Sequence, residues 1–233
     1  MKTYLPAILS LIGLLSACQK EEPLEVCNDK CTIITGRLIT ATNQTPIGGA
    51  EIVVRWNYPA GSKYGRKVKT ASTTDSDGKY TVSFFIKDNE LAEGYFDVTY
   101  SVDENQYYTL GENTVAFYRG RIKRDTLIRV ADYQIPRKAY VKLALTNPNQ
   151  FVSDKGSLNS SFTTPYGFNT VFSRTLNMSG SDIGWGPAET LVTVAGDQPL
   201  LVGHRKWKNG IYTTTIDSLV IPAGTTHNIT LTY

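Results

Sequence analysis

Histidine and methionine are scarce in this chain, at two of each in 233 residues. Histidine is the side chain whose unperturbed pKa suits proton transfer near neutrality. His204 and His227 stand in separate stretches of the second half, with no carboxylate or cysteine at metal-ligand spacing. Motifs of nucleophilic and nucleotide chemistry are missing as well: there is no Gly-x-Ser-x-Gly elbow, P-loop, His-Glu-x-x-His or dinucleotide fingerprint. None of the 21 acids is marked by a pattern as half of a glycosidase pair. The expectation is therefore no enzyme, no cofactor and no metal. Long apolar runs are lacking too. The longest, residues 5–15, is about a dozen residues where a spanning helix needs about 20. Charge of one sign is also lacking. The formal balance is +3, and near +2 without Lys2, too mild to argue for nucleic acid or an acidic lipid surface.

What is present favours sheet. Hydrophobic residues make up 41% and charged residues 19%, enough for a packed core and too apolar for global disorder. Tyrosine (14) outnumbers phenylalanine (8), and Thr, Val, Ile and Asn are abundant, a mixture suited to pleated strands and turns. The length fits one large β domain or two small ones.

The N-terminus carries a cation at Lys2, the apolar stretch 5–15, then the small residues Ser16 and Ala17 before Cys18. Leu15-Ser16-Ala17-Cys18 resembles the cleavage site of a bacterial lipoprotein signal. The resemblance implies removal of residues 1–17 and lipidation of Cys18. At about 0.8 kcal/mol per buried methylene, two or three acyl chains hold a protein on a membrane stably. Gln19-Lys20-Glu21-Glu22 is similar to the export signal of Bacteroidota lipoproteins, which implies an outer-membrane, cell-surface location. Residues 18–31 then form a tether. Its Cys27 and Cys31 are read as a disulfide, with a redox or metal pair as the alternative. Cys-x-x-x-Cys without further Cys or a nearby His lacks a four-ligand set.

Beyond Cys31 the pattern alternates, with Gly, Pro, Asn and Asp at intervals expected of all-β sandwiches. Strands are predicted over 32–40, 50–56, 67–74, 80–86, 96–102 and 126–133, with a short helical stretch at 88–94. Gly36-Arg37-Leu38, the turn Thr45-Pro46-Ile47-Gly48-Gly49-Ala50, and Thr74-Asp75-Ser76-Asp77-Gly78-Lys79-Tyr80 follow in order. Together they resemble the carboxypeptidase regulatory-like, transthyretin-type domain, which implies a β-sandwich over 32–135 that serves as an accessory module. Asp75, Asp77 and Gly78 also imitate part of a calcium loop. The twelfth position, where such a loop needs Glu, is Ile86, so the turn is preferred.

After Ile135-Pro136-Arg137 a second β-sandwich is expected over 136–233, similar in layout to the C-terminal modules of Bacteroidota surface lipoproteins. Its strands are predicted at 138–146, 169–177, 189–195, 200–208, 211–219 and 226–233, with residues 151–168 as a long loop. Asn209-Gly210 signals a type I′ hairpin. The fold class is thus all-β, two sandwiches (transthyretin-like/Ig-like) after a signal peptide and tether.

Two connections combine aromatic and basic residues that could stack on sugars or pair with anions. One holds Trp56, Tyr58, Tyr64 and Arg66; the other holds Tyr107, Tyr118 and Arg121. Asp125-Thr126-Leu127 and Asp217-Ser218-Leu219 resemble the Bacteroidota O-glycosylation pattern, with Thr126 and Ser218 as acceptors. The expected role is non-catalytic tethering or recognition. A glycan-binding accessory lipoprotein of an uptake system is the first alternative and a fimbrial or adhesion subunit the second. The membrane (through the anchor) and a glycan or surface protein are the partners implied; nucleic acid is not, and no oligomeric state is specified.

Overall fold

The computed structural model describes residues 24, 26–40, 45–109, 114–154, 157–164 and 179–233. The leader, Cys18, residues 19–22 and the strand predicted at 169–177 lie outside the described residues.

The first half runs β1 (Thr32–Ile39), β2 (Glu51–Ala60), β3 (Lys63–Thr73), β4 (Lys79–Phe84), α1 (Asp88–Ala92), β5 (Tyr95–Ser101), β6 (Thr114–Gly120), β7 (Leu127–Arg129) and β8 (Tyr133–Gln134). One sheet has the order β4-β1-β7, with β8 also on β1; the other is β3-β2-β5-β6. Strict alternation explains β4, whose Tyr80, Val82 and Phe84 are buried while Lys79 and Thr81 are exposed. Ile34, Leu38, Val82 and Phe84 from the first sheet meet Ile52, Val54, Phe96, Val98 and Tyr100 from the second in one core.

The turns follow their residues. Asp75 Oδ1 accepts the amides of Asp77 (2.9 Å) and Lys79 (2.8 Å), and Gly78 takes a φ of 73°. A Cβ at Gly78 would meet the Leu38 carbonyl oxygen at 2.3 Å, so both conformation and space require glycine there.

Three expectations need correction. The strand predicted at 126–133 is two short strands, β7 and β8, each parallel to β1. The aromatic-basic stretches are largely strand: Trp56, Tyr58, Tyr64 and Arg66 stand in β2 and β3, and Tyr118 stands in β6. Runs of cations and aromatics imitate a connection, yet aromatic residues also favour strands, so the same stretch reads either way in sequence.

The second half runs β9 (Lys138–Leu145), α2 (Pro148–Ser153), β10 (Ser157–Thr164), β11 (Ser179–Gly184), β12 (Thr190–Ala195), β13 (Pro199–Lys208), β14 (Ile211–Val220) and β15 (Thr226–Leu231). Its sheets are β11-β10-β13-β14 and β12-β9-β15, around a core that includes Val141, Leu143, Leu158, Phe162, Val194, Leu200 and Val202. Here the third correction falls: the loop expected at 151–168 contains the end of α2 and all of β10. β10 turns Leu158, Ser160, Phe162 and Thr164 inward. Two of those four are hydroxyl residues, so the alternation is invisible to a count of apolar residues. The inward hydroxyls are satisfied: Ser160 Oγ accepts from Trp185 Nε1 (2.7 Å) and Thr164 donates to the Pro199 carbonyl (3.0 Å).

Candidate recognition surface

The residues singled out in the first half do not converge. Trp56 and Tyr58 stack at 4.5 Å, but Trp56 is only 9% exposed and its Nε1 donates to the Glu93 carbonyl (3.1 Å). Tyr58 lies flat on Gly65, where any Cβ would come within 2.4 Å of its ring, and packs on the first core. These two rings are structural members of the sandwich. Arg66 and Arg121 are exposed. Tyr64 and Tyr118 have side chains outside what the structure describes. Tyr107 lies at the other end of β2, roughly 20 Å along the strand from Tyr58. There it lines a shallow depression of about 300 Å³ with Glu51, Asp103 and Gln106. Burial pushes the Tyr107 hydroxyl pKa up.

Cys27 and Cys31 are joined in a disulfide with Cα atoms 5.8 Å apart. Thr126 is half-buried and its hydroxyl donates to the Arg124 carbonyl (2.9 Å), whereas Ser218 is exposed on β14.

The two histidines, separate in sequence, line one groove. β13 and β14 pair through ten positions without a register shift, from Pro199↔Val220 to Lys208↔Ile211. Asn209 (φ 51°) and Gly210 (φ 77°) supply the two left-handed residues of a type I′ turn. This register sets His204 opposite Thr215 and Val202 opposite Asp217. The groove between this hairpin and β15, about 450 Å³, is lined by His204, Asp217 and His227 among others. Ser160 Oγ lies 2.6 Å from His204 Nδ1, and the Trp185 ring meets the imidazole edge to face at 6.2 Å. Burial lowers the His204 pKa, and Asp217 opposes that shift. Among the described residues, no three His, Cys, Asp or Glu side chains are placed to hold one metal ion.

The opposite face of the same hairpin carries the exposed apolar surface. Leu200 and Val202 point into the core, so residues 199, 201, 203, 205 and 207 of β13 point outward. They share that face with residues 220, 218, 216, 214 and 212 of β14. Trp207 and Tyr212 are direct cross-strand partners, 47% and 61% exposed; Ile216 and Val220 are 75% and 64% exposed. Beside them Arg205 pairs with Asp182 (3.2 Å). The sequence reading found the hairpin and missed this surface. Alternation shows that a strand has two faces, but it does not show which one the second sheet covers.

No family model matches the chain, and no curated protein matches it. Among solved structures it is similar to the TIE protein of Bacillus anthracis at 11% identity, covering 87% of this chain and 34% of that one, TM-score 0.31. It is similar to a 9R-lipoxygenase from Cyanothece at 14% identity, covering 51% and 18%, TM-score 0.32. It is similar to a streptococcal ancillary pilin at 11% identity, covering 88% and 63%, TM-score 0.31. The chain thus spans about a third, under a fifth and under two thirds of those chains. A lipoxygenase and a pilin stand at nearly equal scores, and likeness at this level carries no argument about function.

Proposed function

We propose that this chain is a non-catalytic, lipid-anchored recognition protein of the outer-membrane surface, and that the outward face of β13 and β14 is what it displays. The observation that carries the reading is the exposed row of Trp207, Tyr212, Ile216 and Val220 on one sheet face. Soluble monomers rarely leave contiguous apolar patches larger than a few hundred Å² uncovered, and those that do use them for binding. Acyl chains at Cys18 supply the anchor and residues 19–22 the surface address. The first sandwich, of the regulatory-like type, serves as a rigid spacer between membrane and display face. Labelled palmitate entering the mature chain, and its loss with release from the membrane in C18S, is the expected result. Equal membrane partition of C18S and the native chain would overturn the anchor.

The cross-strand Trp207–Tyr212 pair favours glycan as the ligand. Sugar rings present C–H faces that stack on aromatic planes, and two adjacent exposed rings form such a platform without a deep pocket. On a glycan array, W207A/Y212A is expected to lose at least about tenfold in binding, the scale of 1.4 kcal/mol. Y58A, which removes a ring packed on Gly65, is expected to retain the binding of whatever fraction folds. Equal binding by W207A/Y212A and the native chain would remove the platform from consideration. The fimbrial reading by donor-strand exchange needs a spare strand to donate, and every strand among the described residues is already paired within its own sheet.

A further inference from the structure

We propose that β14 pairs antiparallel with β14 of a second copy of this chain, about a twofold axis at Ile216, joining two four-stranded sheets into one. β14 is the end strand of its sheet, ten residues long, and among the described residues no strand pairs with its outer edge. A long, flat edge is a template for another strand, and proteins that stay monomeric blunt theirs with short strands, bulges, Pro or Lys. The other edges here are blunted in those ways. β3 carries Lys63, Arg66 and Lys67 and bulges at Lys69, between its pairings with Val54 and Arg55. The pairing of β6 shifts register between Val98 and Thr99. β4, β11, β12 and β15 have six residues each and β7 has three. β14 has no Pro, Lys, Arg or bulge, and a single charge, Asp217.

Its pattern is also self-complementary. Along the outward face stand Tyr212, Thr214, Ile216, Ser218 and Val220: apolar, hydroxyl, apolar, hydroxyl, apolar, symmetric about the middle residue. Opposite residues of an antiparallel pair share a face, so a slip by one residue at one strand is forbidden and the axis must pass through a residue. Centred on Ile216, the pairing lays Ile216 on its own copy, Tyr212 on Val220 and Thr214 on Ser218. On the groove face it sets Asp217 opposite Thr215. Centred on Asp217 it would oppose two like charges directly. Centred on Thr215 it would set Ile216 against Thr214 and leave Val220 beyond the partner strand. Only the Ile216 register among these satisfies all three exposed apolar residues at once.

Pairing over residues 212–220 spans roughly 30 Å. It buries on the order of 1,000 Å² in total, the low end for a specific interface. The dimer is therefore concentration-dependent in solution and strengthened where both copies lie in one membrane plane. Trp207, one strand in from the edge, stays exposed in each copy, so the joined sheet presents two aromatic platforms on one face, one near each end of the seam.

The test is register-specific crosslinking of the full chain, read on non-reducing gels. I216C, exposed and on the axis, is expected to form a disulfide-linked dimer at least tenfold faster than L201C on the neighbouring strand. S218C alone is expected to crosslink as slowly as L201C, while S218C mixed with T214C forms the heterodimer. I216K is expected to sediment as a monomer at concentrations where the native chain dimerises, with an unchanged melting temperature. Equal rates for I216C and L201C, a native chain monomeric throughout, or I216C capturing a different polypeptide instead of itself would each overturn the self-pairing. None of these outcomes bears on palmitate incorporation at Cys18, which stands or falls separately.

Discussion

His204 shows how one side chain's surroundings set its proton affinity. Trp185 Nε1 can only donate, and Ser160 Oγ accepts from it, which leaves the Ser160 proton free to point at His204 Nδ1. With that proton on Nδ1's side of the contact, the imidazole accepts, an arrangement that favours its neutral form. Burial is the largest cause of its lowered pKa, with the Asp217 carboxylate working against it. The sign of the consequence follows from linkage. The unfolded chain, with an ordinary value of 6.5, takes up the proton before the fold does, so stability falls as pH drops through that value. It levels off below the folded pKa, where both states are protonated. Urea melts at pH 7.5 and 5.5 are expected to show the native chain losing stability at the lower pH. In H204Q, which keeps an acceptor without the titration, that loss is expected to shrink. An undiminished loss would assign the pH effect to other groups.

At the scale of elements, α1 is too short to hold itself and is fastened by a buried ion pair. The bulge in the β2–β3 ladder passes from Val54↔Thr70 to Arg55↔Val68 and leaves Lys69 unpaired by backbone, which frees it to turn into the sandwich edge. There its Nζ meets Glu90 Oε1 and Oε2 at 2.7 and 2.8 Å, both side chains buried, and Glu90 Oε2 also accepts the Lys87 amide at 2.9 Å. Removing one partner strands the other charge, a loss of roughly 3–5 kcal/mol, whereas removing both is often near neutral. K69M is thus expected to lower unfolding free energy by about that amount, and K69M/E90L to recover most of it. Chemical denaturation checks both, and equal stability of the two variants would mean that the pair does not fasten α1. This pair had no signature in the sequence, since Lys69 and Glu90 read as two surface charges 21 positions apart. Legible in advance were the strands that alternate apolar with polar residues, such as β2, β4, β9 and β12, and the turns at Asp75-Gly78 and Asn209-Gly210. Hidden were β10, whose inward Ser160 and Thr164 pass for loop residues, and β6, whose Tyr and Arg in sequence pass for a binding connection. The candidate surface was hidden for a related reason. Trp56 and Trp207 both stand on alternating strands, and only the packing of sheets decides that one fills a core and the other faces solvent.

The whole molecule is two cores joined over very few residues, Ile135 belonging to the first and Ala139 to the second. A join this short transmits order only if its backbone is held. The Tyr108 amide donates to the Pro136 carbonyl (2.8 Å), the Lys138 amide to the Gln106 carbonyl (2.8 Å), and the Gly196 amide to the Arg137 carbonyl (2.7 Å). The turn that presents Tyr107 and Tyr108 is braced by Asp103, which accepts from the Asn105 amide and from the Gln106 side chain at 2.9 Å each. Those bonds, the Asn105 amide foremost, hold the Asp103 carboxyl below its ordinary range, so the brace stays ionised at neutral pH. Tyr108 itself is buried against Ala195, a contact separate from both cores and made across the join. Y108A removes that contact while leaving each core's own residues in place. A buried aromatic truncated to alanine typically forfeits roughly 3 kcal/mol, here taken from the coupling between halves. Scanning calorimetry of the native chain is expected to give one endotherm and that of Y108A two, with the upper transition near the native temperature. A single, uniformly lowered transition in Y108A would instead place Tyr108 within the packing of one half.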